Sequence, residues 1–261
     1  MRHATTLAFR PVLFVFVANL ARPALLEAEA LAPLLAKTPF EARLALAAGP
    51  PSIVLATTDR DRAANVLGML RSRGHAAHAF DDESFVKSDV MAKIDDFRLD
   101  ADGVRRTTNG DLLPYGDVYA ILRAVHDSSA STEREVFGAG MGDGMRSDAN
   151  APPIVVKSED REHVAYFFRR SGERPWLLRE RHASYVGLGQ ERGPVAFANF
   201  TRLLARIREA SPMAVFDDRL VRRRVVERLD TEGVTSSRHG MDLLAHLLAM
   251  TIASQGGSPY R

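Results

Sequence analysis

Five arginines surround the chain's only tryptophan between Arg169 and Arg181, in the order Arg169, Arg170, Arg174, Trp176, Arg179, Arg181. A guanidinium group pairs bidentately with phosphate or carboxylate, and an indole face can stack on a base or a cation. Ser171-Gly172 reads as the turn of a hairpin that would hold all six residues. Such a hairpin could bind single-stranded RNA or an acidic peptide. The alternative is that Trp176 enters the core while the arginines line a solvated face.

Other chemistry-bearing groups point away from catalysis. The sequence has no cysteine, which excludes disulfides, thiol nucleophiles and cysteine–zinc sites and suits a reducing cytoplasm. His75 and His78 fall on a predicted strand, where a spacing of three sends side chains to opposite faces and makes no metal pair. Asp81, Asp82 and Glu83 read as a solvated strand end. The Asp100–Gly103 and Gly142–Gly144 stretches lack the further ligands and distal Glu of a calcium loop. Gly138, Gly140 and Asp143 fall short of a dinucleotide fingerprint. Nucleophile-elbow, zinc-protease and phosphate-loop signatures are absent from the sequence. The reading is a non-catalytic protein that binds a protein partner, with no cofactor, no metal and no membrane association. Nucleic-acid or anion binding through the arginine-rich second half is the alternative.

Composition frames the elements that must carry these groups. The chain of 261 residues is 46% apolar and 26% charged, so it can bury one large core or two ordinary ones. Residues 1–150 hold 17 basic against 20 acidic residues and residues 151–261 hold 18 against 13, net −3 and +5. Four of the 35 basic residues are lysines, a bias that a GC-rich coding sequence also produces.

Residues 12–20, rich in Val and Phe, predict a buried strand. The basic residues before them also give the look of a short secretory signal. Residues 20–37 are rich in helix formers, with Pro23 tolerated at the entry and Pro33 inside, where it should kink or split the helix. Thr38-Pro39-Phe40-Glu41 is a capping box, and Gly49 with Pro50-Pro51 stops the second helix. Residues 52–58 form a strand; Thr58 with Asp61 predicts a second capping box, opening a helix that ends at Gly74; residues 75–81 form a third strand.

The order β-α-α-β-α-β over residues 11–81 resembles the C-terminal domain of the ribosomal stalk protein, a fold shared with the Clp-protease adaptor. Glu41-Ala42 and Pro50 stand at the separation of that family's second helix and the Pro after it, and Ala63, Leu70 and Gly74 match its third helix. The resemblance implies a small docking module. That family docks through a lysine-bearing helical surface, near which this chain has Lys37 and Arg43.

The whole reads as an α+β chain of bacterial type. Residues 1–82 form a module expected to fold alone, and residues 83–127 a β-rich subdomain with turns at Asp102-Gly103 and Asn109-Gly110. That subdomain ends in a helix through Val118, Ile121, Leu122 and Val125. Its Leu113–Val118 step resembles the strand-to-helix entry of bacterial PH-like domains. Residues 128–152 read as a flexible linker, and residues 153–261 as a second α+β domain ending in a helix. Within that domain a helix is expected to bury Phe197, Phe200, Leu204 and Ile207. The run Ala183–Gly189 with Asn199-Phe200 resembles a segment of bacterial proteins of unknown activity.

Overall fold

A computed structural model describes residues 12–47, 49–81, 85–128, 160–222 and 237–255. It has the α+β character expected. The first module follows the order β1 (Leu13–Asn19), α1 (Ala24–Leu35), α2 (Pro39–Ala47), β2 (Ser52–Thr57), α3 (Arg60–Ser72), β3 (Ala76–Asp81). Its strands form one antiparallel sheet, β2-β1-β3, with the Val/Phe-rich β1 at its centre.

Local chemistry sets the boundaries. Thr38 and Glu41 close the capping box reciprocally: Glu41 Oε2 accepts the Thr38 N–H at 2.7 Å, and Thr38 Oγ1 accepts the Glu41 N–H at 3.3 Å. Gly49 takes φ +77°, the left-handed conformation expected after a helix. Pro33 does not split α1. It lies in the last turn, and the helix ends two residues later with Ala36 at φ 53°. The cap of α3 is Asp59, not Thr58. The Asp59 Oδ1 accepts the N–H groups of Asp61 and Arg62, both at 3.0 Å, because a carboxylate at that position reaches two free donors at once.

The second half is built on a five-stranded sheet, ordered β11-β8-β9-β10-β4. Its strands are β4 (Ala92–Lys93), β8 (Val118–Ser128), β9 (Asp160–Arg169), β10 (Trp176–Arg179) and β11 (Val215–Asp217). A smaller sheet of β5 (Phe97–Leu99), β6 (Gly103–Arg106) and β7 (Leu112–Pro114) turns where Asp102-Gly103 and Asn109-Gly110 foretell it. Two helices complete the chain, α4 (Ala196–Ala210) and α5 (Ser237–Gln255).

Residues 118–128 are a strand, not a helix. β8 sits inside the sheet between β9 and β11, and residues 118–122 are buried without a break. A strand covered on both faces loses the alternation that marks strands, so its apolar residues also fit helical spacing. In α4, Phe197 is not part of the buried row and is 42% exposed. Asn199 takes its place, folding back to exchange hydrogen bonds with the Gly193 backbone at 2.7 and 2.8 Å. Apart from Ser128, the expected linker lies outside the described residues.

Three buried clusters stack between these layers. Val15 and Val17 of β1 pack against α1, α2 and α3 through Leu31, Leu46 and Leu70. Phe14, Phe16 and Ala18, on the other face of the same strand, pack with α5 and with Leu122, Tyr166 and Leu177 of the large sheet. The far face of the large sheet packs Ile121, Phe167 and Trp176 against Phe200 and Ile207 of α4. The last helix therefore fills the space between the two sheets, and a boundary at residue 82 runs through a shared core.

One close approach fixes the small sheet against the short helical turn Val186–Glu191 that follows β10. A Cβ on Gly187 would lie 2.2 Å from the Phe97 carbonyl oxygen and 2.7 Å from two of its ring carbons. Backbone cannot yield to that overlap. Gly187→Ala is expected to cost about 1–3 kcal/mol, read as a lower urea midpoint at unchanged slope.

Candidate functional site

The arginine hairpin assembles as a hairpin, yet its groups face different ways. β9 and β10 turn through Ser171-Gly172, with Gly172 at φ +73°. Trp176 is 3% exposed and packs in the cluster beneath α4, so its ring offers no face to a base. Arg169 Nε donates to Asp117 Oδ2 at 2.6 Å, and its Nη1 donates to Glu173. Arg170 donates to the Met213 carbonyl at 3.0 Å. Arg179 donates to Glu162 Oε2 from Nε at 3.0 Å and Nη2 at 2.6 Å. Arg181 gives its N–H to Glu162 Oε1 at 3.1 Å and its Nη2 to the Arg161 carbonyl at 3.0 Å. Arg174 is exposed.

Glu162 organises one end of this hairpin. Burial by itself pushes its carboxyl up, but hydrogen bonds from Arg179, His182 and the Arg181 N–H outweigh that and hold it below the usual carboxylate range. A comparable knot ties the first module together. Glu27, 1% exposed on α1, accepts from Arg73 Nε at 2.8 Å and from His75 Nε2 at 3.0 Å. The Ala21 N–H donates to His75 Nδ1 at 3.2 Å, so the proton of a neutral His75 sits on Nε2 and points at Glu27. His75 thus serves an ion pair of the fold.

A third polar group was not singled out by sequence. Asp242, fully buried on α5, accepts the Ser88 N–H through Oδ2 and the Tyr166 hydroxyl through Oδ1, both at 2.8 Å. His126 Nε2 lies 2.6 Å from the same Tyr166 oxygen. Tyr166 has one proton and spends it on Asp242, so His126 must donate from Nε2, which leaves Nδ1 as a bare acceptor in the neutral ring. Burial raises the Asp242 carboxyl, but the nearby His126, at 3.6 Å, and the hydrogen bonds of Ser88 and Tyr166 prevail and lower it.

Three buried polar atoms here have no hydrogen-bond partner among the described residues: Ser88 Oγ, Lys93 Nζ and His126 Nδ1. Their residues line one pocket with Asp89 and Arg179. Burial, with Arg179 close by, lowers the Lys93 amine against the pull of Asp89. A base, a hydroxyl and an amine are the parts of a proton relay, but the cavity of about 10 Å³ is the size of one water sphere and admits no substrate. The network ties α5 to β8, β9 and the segment around Ser88. Its one trace in the sequence is the pair Asp242 and His246, a turn apart in the otherwise apolar run Met241–Met250.

The described surface also carries large apolar side chains on the α1–α2 hairpin. Leu25, Leu26, Phe40 and Leu44 are 56–67% exposed, and the Arg43 guanidinium lies 5.4 Å from the Phe40 ring centre. Among the described residues no group of three or more His, Asp or Glu side chains could hold a metal, and no helix is long and apolar enough to cross a membrane.

Comparison of the chain with protein-family models, curated proteins and solved structures finds no match.

Proposed function

We propose that this chain is a non-catalytic docking protein of bacterial type, working in the reducing cytoplasm. In this reading the α1–α2 hairpin takes an apolar, acid-flanked segment of a partner protein. The observation that carries it is four large apolar side chains exposed within twenty consecutive residues, from Leu25 to Leu44. Single exposed apolar residues are ordinary, whereas four on one helical hairpin call for a partner. Charge sets the partner's flanks. Arg22, Lys37 and Arg43 are exposed on the same stretch of chain. Glu27 is buried in its ion pair, Glu41 is bound to Thr38, and Glu29 is the remaining exposed acid of α1. The βααβαβ order and its likeness to the stalk domain support the same reading. The arginine-rich half supports anion binding less well, since Trp176 is buried and Arg169 and Arg179 already hold carboxylates.

The test is a titration of the isotope-labelled full chain with an amphipathic peptide of Leu and Asp. Saturable amide shifts confined to α1 and α2 are expected. The double variant Leu26→Ser/Leu44→Ser should abolish them at an unchanged melting midpoint. Shifts centred on β9 and β10, or capture of single-stranded RNA in place of the peptide, would transfer the function to the arginine hairpin.

A further inference from the structure

A cleft of about 790 Å³ opens between the two sheets beside the C-terminal half of α5. Its origin is a change of side-chain size along one helix. The middle of α5 fills the space between the sheets with Leu243, Leu244, Leu247 and Leu248. Farther along, the cleft is floored by Ala249 and Ala253, a turn apart. Alanine is too short to reach across, so the gap stays open while the walls remain apolar. Phe80 of β3 stands on one side, with Tyr119 and Phe168 of the large sheet on the other.

The polar groups of the lining define what would fit. Arg169 is held by Asp117 and Glu173, and Asp81 is likewise engaged, so the one arginine of the lining is already neutralised by carboxylates. Two imidazoles complete the lining. His246 meets Phe168 edge-on at 4.9 Å and has its Nε2 at the Val86 backbone, 3.0 Å from the carbonyl. Burial pushes His246 down to about 4, although the Val86 hydrogen bond and Asp242 pull the other way. His78 stacks on Phe16 at 5.4 Å, and among the described residues no hydrogen bond holds its ring nitrogens. Burial, then Arg71, lowers His78 as well. Both rings are therefore neutral at pH 7.

We propose that this cleft is a binding site for an uncharged, mainly aromatic or aliphatic small molecule that hydrogen-bonds to the free imidazole of His78. The volume falls in the range of sites that enclose a small organic ligand, about 300–1,000 Å³. An anionic ligand would give up its hydration and meet, among the described residues of the lining, an arginine already held by two carboxylates. The site is independent of the α1–α2 docking face.

The probe is phenylnaphthylamine, an uncharged aromatic amine, titrated into the full chain by fluorescence. One saturable site is expected, with anilinonaphthalene sulfonate, its anionic counterpart, binding more weakly. Ala253→Phe fills the cleft and should weaken the neutral probe by about tenfold or more. Ala249→Leu is the milder variant for the same readout should the phenyl ring disturb folding. Leu44→Ser, on the docking face, should leave the affinity unchanged. Equal affinity in the filled variant, tighter binding of the sulfonate, or loss of binding in Leu44→Ser would each overturn the proposal. His78→Phe should lower affinity for the amine probe and spare its deaminated analogue, phenylnaphthalene; equal loss of both would remove the hydrogen-bonding role of His78.

Discussion

Residues 1–82 produced without α5 are expected to aggregate or give a poorly dispersed amide spectrum. The reason is the second face of the first sheet. Phe14 and Phe16 are fully buried in the whole chain, and the residues that cover them belong to α5 and the large sheet. Cutting at residue 82 would strip that cover and expose a row of aromatic side chains to water. Within the full chain the same dependence appears as single substitutions with large costs. Phe16→Ala is expected to lose about 3–5 kcal/mol and Leu248→Ala about 2–5 kcal/mol, because both side chains are essentially inaccessible and the stacked layers cannot collapse into the hole. Chemical denaturation of the two variants checks both figures. A well-dispersed spectrum from residues 1–82 alone would show that the first module closes its own core.

Replacing Asp242 should be the costliest polar change. In Asp242→Ala the Ser88 N–H and the Tyr166 hydroxyl lose their acceptor in a fully buried site, and His126 loses the group that orients its partner. Removing one side of a buried charged network costs about 3–5 kcal/mol. Asp242→Asn keeps the shape but brings an NH₂ group against one of two donors, so it should be intermediate. The pH dependence has a definite sign. The folded carboxyl is lowered below its unfolded value near 3.8, so its contribution is complete above that value. It is lost as pH falls through the folded value. The acid limb of the stability curve should therefore flatten in Asp242→Asn below the unfolded value of 3.8, while the two proteins run parallel from there to neutral pH. An identical acid limb in both proteins would show that Asp242 is not linked to folding.

What could be read from the sequence was local. The capping box at Thr38, the left-handed Gly49 and the Asn109-Gly110 turn are each decided by neighbours within a few residues, and each stands where its chemistry requires. Features decided by distant partners were obscured. β8 looked helical because both of its faces are covered, a fact set by α5 on one side and the cluster beneath α4 on the other. Asp242, His126, Tyr166 and Ser88 converge from four separate stretches, and no spacing rule connects them. The arginine hairpin shows the intermediate case. Its turn was legible, but the direction of Trp176 follows from pairing with Phe167 in β9, and the fate of Arg179 follows from Glu162.

The placement of α5 between two sheets also bears on how the chain is made. β1 is synthesised roughly 220 residues before the helix that covers its phenylalanine face. At a ribosomal rate of about 5–20 residues per second, that interval is on the order of ten to forty-five seconds. Throughout it the strand can complete one side of its packing against α1, α2 and α3 but not the other. The nascent protein is therefore expected to carry a half-finished apolar sheet for most of its translation, so codon changes that slow the second half should lengthen its exposure and lower the yield of folded protein.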